Sequence, residues 1–204
     1  MNEEYITIDT ERSIKEPPTA VKVKQYTPYK LVEEKEKILS EKAEVFDFSK
    51  RDDAIEISGR LVETIKLHRA LGLAASQCGI LERVFVMGAE EDYTVMFNPS
   101  VIYTSDEQTH MEEGCLSYPF MFLCISRPSS IRIKYQNELG KEKEVFLEGL
   151  SARIAQHEID HLNGITFHKR AKPLALKTSL KKREKQIQKF ARELVSKGVG
   201  IKKK

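Results

Sequence analysis

The pentapeptide His157-Glu158-Ile159-Asp160-His161 constrains this chain more than any other feature. On a helix, positions i and i+4 share one face and lie about 5–6 Å apart. Two imidazoles so placed can grip one divalent metal ion. A Glu directly after the first His can then act on metal-bound water as a general base. The same five residues also arise in helices that bind nothing, where Glu158 is an exposed surface residue. The surroundings decide between the two, because a catalytic metal needs a third protein ligand and an open position for water.

Two residues can supply that ligand. His168 is the only later His, seven residues after His161. The metzincin spacing needs it at six, and His168 reads as a surface residue. The better candidate is Cys115 in Glu113-Gly114-Cys115-Leu116-Ser117. A neighbouring Gly lets the backbone come close to a metal and a substrate, and thiolate is a strong ligand for soft or borderline ions. The chain has three cysteines, Cys78, Cys115 and Cys124. An odd, sparse set makes a poor disulfide framework and leaves a thiolate available in a reducing compartment. Cys124 lies in the apolar stretch 120–125 and reads as a small buried hydrophobe, whereas Cys78 takes no assignment.

Secondary-structure signals place these residues. Ile55, Leu61, Val62, Ile65 and Leu71 form a partial helical stripe over 52–71, with Ser49 or Asp52 as the cap and Gly72 as the stop. The segment from Leu31 to Asp47 is charge-rich and fits no pattern. Strands are expected at Arg83–Met87, Thr94–Phe97, Ile131–Tyr135 and Glu144–Leu147, with residues 137–140 turning the last pair. Helical spacing returns over 149–163, with Leu150, Ile154 and Leu162 as core candidates and Gly164 as the stop. Pro173 opens a final helix, which Gly198 and Gly200 close. Helix, several strands, then helix, without βαβ alternation, predicts an α+β fold.

Size and charge set the remaining bounds. A chain of 204 residues can bury one full core with extensions. No apolar run approaches the ~20 residues of a membrane span, and Met1-Asn2-Glu3-Glu4 does not open a secretory signal, so the expected location is the cytoplasm. Residues 1–20 are polar, contain Pro17-Pro18 and read as an extended or loosely ordered N-terminal extension. The net charge of +3 conceals an asymmetry: residues 169–204 hold 14 Lys/Arg against 2 Asp/Glu. The rest of the chain is acidic, and a basic tail on an acidic body points to an anionic partner.

Three segments in order resemble the signature motifs of peptide deformylases: residues 72–77 (Gly-Leu-Ala-Ala-Ser-Gln), Glu113–Ser117, and Gln156–His161. The similarity runs over about residues 60–168, thins over the first 50 and is absent from the tail. It implies antiparallel β-sheets packed around a central metal-binding helix, a catalytic region over 21–168 and a basic C-terminal helix in 169–204. It implies that Cys115, His157 and His161 bind one divalent ion, with Fe2+ expected and Zn2+, Ni2+ or Co2+ able to substitute. Glu158 would be the general acid and base. Gln77 and the Leu116 backbone N–H would stabilise the oxyanion, and Gly72, Leu116 and Ile154 would flank the Met side chain. The implied substrate is the formyl-Met end of a peptide or nascent chain, with ribosomal RNA as partner of the tail and no membrane. Deleting residues 171–204 is then expected to spare activity on a short peptide. Two positions depart from the family's pattern: Ala70 replaces a Gly at the start of the first motif, and Phe122 stands near where many bacterial members carry an Arg that grips the peptide. Two other classes stay in view, an endopeptidase sharing the His-Glu chemistry and an RNA-binding protein with a structural metal.

Overall fold

The computed structural model describes residues 25–197. Residues 1–20 and the expected helix stops at Gly198 and Gly200 therefore lie outside the described residues. Mixed helices and antiparallel sheets build the fold, as the alternation of patterns predicts. In chain order the elements are α1 (Ala54–His68), β1 (Gly72–Ala74), β2 (Val84–Ala89), β3 (Asp92–Thr104), β4 (Gln108–Cys115), β5 (Tyr118–Pro128), β6 (Ser130–Gln136), β7 (Glu142–Glu148), α2 (Gly149–Leu162) and α3 (Pro173–Ser196). Short 3-10 turns at Lys37–Ser40, Ala75–Cys78 and Phe167–Arg170 connect them.

Five strands form one antiparallel sheet in the order β1-β2-β3-β6-β7, and β4 and β5 form a separate hairpin. Period-2 alternation explains how both faces of the large sheet are covered. Phe85 and Met87 on β2 point to Ala152, Ala155, Ile159 and Leu162 of α2. Val84 and Val86 point the other way, to Ala54, Ile57, Leu61 and Ile65 of α1. A strand buried on both faces reads as a continuous apolar run, as Val84-Phe85-Val86-Met87 does. A third cluster, Tyr118, Met121, Leu123, Ile125 and Phe167, fills the space under the hairpin. Helix α2 thus contacts β1, β2, β6 and β7 on one side and β5 on the other.

Several expectations need correction. Ile55 and Leu71 are exposed, since the buried stripe of α1 runs through Ala54, Ile57, Leu61, Thr64 and Ile65. Neither Ser49 nor Asp52 caps α1; its N-cap is Asp53, and its end comes at Arg69 in the left-handed conformation, with φ of 51°. Gly72 instead begins β1. Leu150 is exposed, while Leu162 is fully buried as expected. Cys124 is exposed, because β5 alternates and its inward positions are Met121, Leu123, Ile125 and Arg127. Cys78 is half-buried, and burial pushes its thiol up to about 12. The unassigned stretch 31–47 is irregular apart from the 3-10 turn at Lys37–Ser40, and it buries Leu39, Ala43 and Phe46. The β6–β7 turn forms where expected: Gly140 takes a φ of 72°, and Asn137 Oδ1 accepts bonds from the Leu139 and Lys141 N–H groups.

Candidate active site

Three separate elements converge on one cavity of about 570 Å3. Gly72 and Gln77 come from β1 and the 3-10 turn after it. Cys115 and Leu116 come from the end of β4 and the two-residue turn into β5. Ile154, His157 and Glu158 come from α2. All seven line the cavity. His161 lies one turn behind His157, 1% exposed, with its Nε2 3.2 Å from Cys115 Sγ.

The ligand atoms offered by Cys115, His157 and His161 lie within 4.8 Å of one another. His157 Nδ1 is engaged by Glu113 Oε2 at 3.0 Å, which turns the other ring nitrogen towards the thiol. His161 Nδ1 is buried without a hydrogen-bond partner. Burial pushes the His161 pKa down to about 3. For His157 burial acts the same way, but hydrogen bonds to Cys115 and Glu113 outweigh it and push the pKa up to about 10. A metal ligand is a neutral imidazole, so an ion at this site would displace a proton from His157. One thiolate and two imidazoles suit a borderline divalent ion, and the residues present fit such a group. His168 takes no part. It is half-buried rather than on the surface, edge-on to Tyr118 with ring centroids 5.0 Å apart.

Glu158 is 4% exposed, and its Oε2 has no partner. Burial raises its pKa to about 7, against the lowering pull of His157 and Arg127. Gly72 makes room for it: a Cβ there would sit 2.4 Å from Glu158 Oε1 and 2.8 Å from Ile154 Cγ2. The constraint at Gly72 is close approach, not an unusual φ. The Gln77 amide is oriented by its neighbours. Its Oε1 accepts the Ala74 N–H at 2.9 Å, so its NH2 group points to Ser117 Oγ at 3.0 Å and Cys115 Sγ at 3.5 Å.

Behind the triad lies a buried charge cluster that the sequence reading largely missed. Arg127 donates to Glu113 at 2.7 and 2.9 Å and to Asp160 at 2.8 Å. Arg153 donates to Glu113 at 2.6 Å and to the Ile125 and Thr109 carbonyls. Arg170 closes the chain on Asp160. Burial acts to raise the Glu113 pKa, but bonds from His157 and Arg127 outweigh it and hold the carboxyl at about 2. One signal was available. Arg153 sits four residues before His157 on α2, and Arg127 occupies an inward position of an alternating strand. A charge forced inside must meet a partner.

The cavity's outer wall is mostly apolar, with the exposed Arg69 and Glu112 adding charge at the mouth. Leu71, Phe122 and Leu150 are exposed around its mouth, and Pro119 and Phe120 continue the wall. Phe122 Cε1 would lie 2.9 Å from a Cβ on Gly114, so its ring covers the strand edge just before Cys115.

Comparison with known proteins identifies relatives of this chain. Residues 28–177 match the family model described as polypeptide deformylase. The peptide deformylase of Thermotoga neapolitana is 41% identical over 145 residues, covering 71% of this chain and 88% of that protein. A peptide deformylase from Synechococcus elongatus in complex with actinonin superposes with a TM-score of 0.72 at 29% identity, over 81% of this chain and 93% of that one. A class I type b peptide deformylase from Acinetobacter baumannii with Met-Ala-Ser bound gives a TM-score of 0.67 at 29% identity, over 71% and 98%. With the family model spanning most of its length and such relatives on both counts, this chain belongs to the peptide deformylase family of hydrolases.

Proposed function

We propose that this enzyme hydrolyses the N-formyl group from the N-terminal formyl-Met of nascent polypeptides and releases formate. The observation that carries the reading is the meeting of Glu158, Gln77 and the Cys115-His157-His161 triad in one cavity beside an apolar wall. The Acinetobacter baumannii relative holds a peptide that begins with Met, the product class expected here. Cys115, His157 and His161 would hold one divalent ion, Fe2+ by preference, with Zn2+, Ni2+ or Co2+ as substitutes. When bound there, such an ion would supply Lewis acidity, enough to lower the pKa of water from ~15.7 towards ~7 and make it a nucleophile at neutral pH.

The chain's own residues do the rest. Glu158 takes the proton from the attacking water and delivers it to the amine nitrogen, which leaves poorly unless protonated. Its unpartnered Oε2 stays available for that proton. The Gln77 NH2 group and the Leu116 N–H stabilise the tetrahedral oxyanion, and losing one such donor costs about 2.7–4 kcal/mol of barrier. Glu113 fixes the His157 ring through Nδ1. Gly72, Leu116 and Ile154 flank the Met side chain, and Phe122 gives the mouth an apolar rim.

Among the described residues no helix is long and apolar enough to cross a membrane, and we place the enzyme in the cytoplasm. The basic segment 169–204 would contact ribosomal RNA through phosphates, weakening steeply with salt. The deciding experiment is formate release from a formyl-Met peptide by protein loaded with ferrous ion under anaerobic conditions. Release is expected, with Glu158→Ala lowering kcat about 10²–10⁴-fold. Cleavage of internal peptide bonds in unformylated substrates would instead make it an endopeptidase. Salt-dependent RNA binding without turnover would make it a binding protein.

A further inference from the structure

The cavity wall formed by Pro119, Phe120 and Phe122 is held from behind by α3. Ser179 Oγ donates to the Phe122 carbonyl at 2.7 Å. Arg183 Nε donates to the Pro119 carbonyl at 2.8 Å. The Phe190 ring lies against Phe120, with centroids 5.5 Å apart. Positions 179, 183 and 190 fall on one face of a helix, so one straight element delivers all three contacts. Phe120 itself has a φ of 63°, a left-handed conformation that a bulky residue keeps only when its surroundings hold it. Here the surroundings are α3.

Arg183 also reaches a second part of the site. Its two terminal nitrogens donate to the two carboxylate oxygens of Glu34. Two residues before Glu34, the Val32 N–H donates to the Gln77 carbonyl at 2.9 Å. One guanidinium therefore links the strand that follows Leu116 to the loop that backs Gln77. Side-chain donors to backbone carbonyls fix the path of the main chain, whichever side chains line the cavity.

We propose that α3 is a positioning element for peptide binding: Ser179, Arg183 and Phe190 hold the wall of residues 119–122 at the distance from Gln77 and Gly72 that the substrate requires. This extends the deformylase reading and rests on it for the identity of the substrate. It also departs from the sequence-based expectation that the segment 171–204 is dispensable for activity on a short peptide. Arg183 is outside the cavity lining and touches no reacting atom, so its effect belongs in KM and not in kcat.

The test uses the full chain loaded with ferrous ion. Arg183→Ala is expected to raise KM for a formyl-Met peptide about tenfold, as for loss of a charge-assisted hydrogen bond, with kcat nearly unchanged. Arg183→Lys recovers part of the loss, and Ser179→Ala gives a smaller rise of the same kind. Amide hydrogen exchange over residues 116–123 should accelerate in Arg183→Ala, while residues 84–89 stay as protected as in the parent. If exchange and KM both stay at parental values, or if exchange rises without KM, the helix is only a stabilising brace and the proposal fails. A parent protein that releases no formate would overturn the deformylase reading instead, and the exchange measurement would still decide whether α3 holds the wall.

Discussion

Two arginines, Arg127 and Arg183, do similar jobs in different surroundings. Each clamps a carboxylate with two nitrogens and reaches a second partner beyond it. Arg127 is 4% exposed and its partner Glu113 5%. Arg183 is 12% exposed, and its partner Glu34 is 39% exposed. The buried pair stands next to His157 and cannot relax into water, so it sets the position of the ligand shell. The outer pair can exchange its partners for water, so it can adjust the cavity wall without endangering the fold. The same chemical contact is a foundation in one place and an adjustable brace in the other, and the difference is solvent access.

The largest expected effect comes from breaking the buried pair. Arg127→Met keeps roughly the volume but removes the one guanidinium that bridges both buried carboxylates, leaving Glu113 to Arg153 and Asp160 to the half-exposed Arg170, and should cost about 3–5 kcal/mol in urea unfolding. Arg153→Met should cost less, about 1.5–3 kcal/mol, because Glu113 retains Arg127. A third variant, Glu34→Gln, should cost under ~1 kcal/mol, and less in high salt. If Arg127→Met and Glu34→Gln destabilise equally, burial is not what separates the two clamps.

A pH series gives the finest test. Hydrogen bonding from Arg183 holds the Glu34 pKa below its ordinary value, with Lys35 and His168 adding to the pull. A carboxylate lowered on folding stabilises the folded state above its unfolded pKa. That contribution fades as the pH falls through the folded value. The melting temperatures of parent and Glu34→Gln should therefore differ at neutral pH and converge below the carboxylate range. A gap that persists in acid would remove charge from the account of this brace.

Much of the fold was legible because its periodicity is strong. The run Val84-Phe85-Val86-Met87 reads as a strand, and Asn137 to Gly140 as a hairpin turn, and both form there. The β4–β5 hairpin escaped because its inward positions include Glu113, Ser117 and Arg127, which no hydrophobic pattern reveals. Cys124 was misread for the complementary reason: an apolar neighbourhood in sequence says nothing about which face of a strand a residue takes. In α1 and α2 the errors fell on Ile55, Leu71 and Leu150, apolar residues at or beyond helix ends, where exposure carries little penalty.

Local spacing in the chain was enough to single out the candidate reactive groups. His157 and His161 are four residues apart, and local helical geometry alone puts them on one face, with Glu158 at the next position round the helix. Their family motifs brought Cys115 and Gln77 into the same list. What holds them in place comes from the packing of distant segments. The partners of Glu113 lie 14, 40 and 44 positions away, and Arg183 reaches Glu34 across 149. Side-chain spacing reports contacts within one turn of a helix or one step of a strand. It cannot report a contact whose existence depends on how two distant segments are packed.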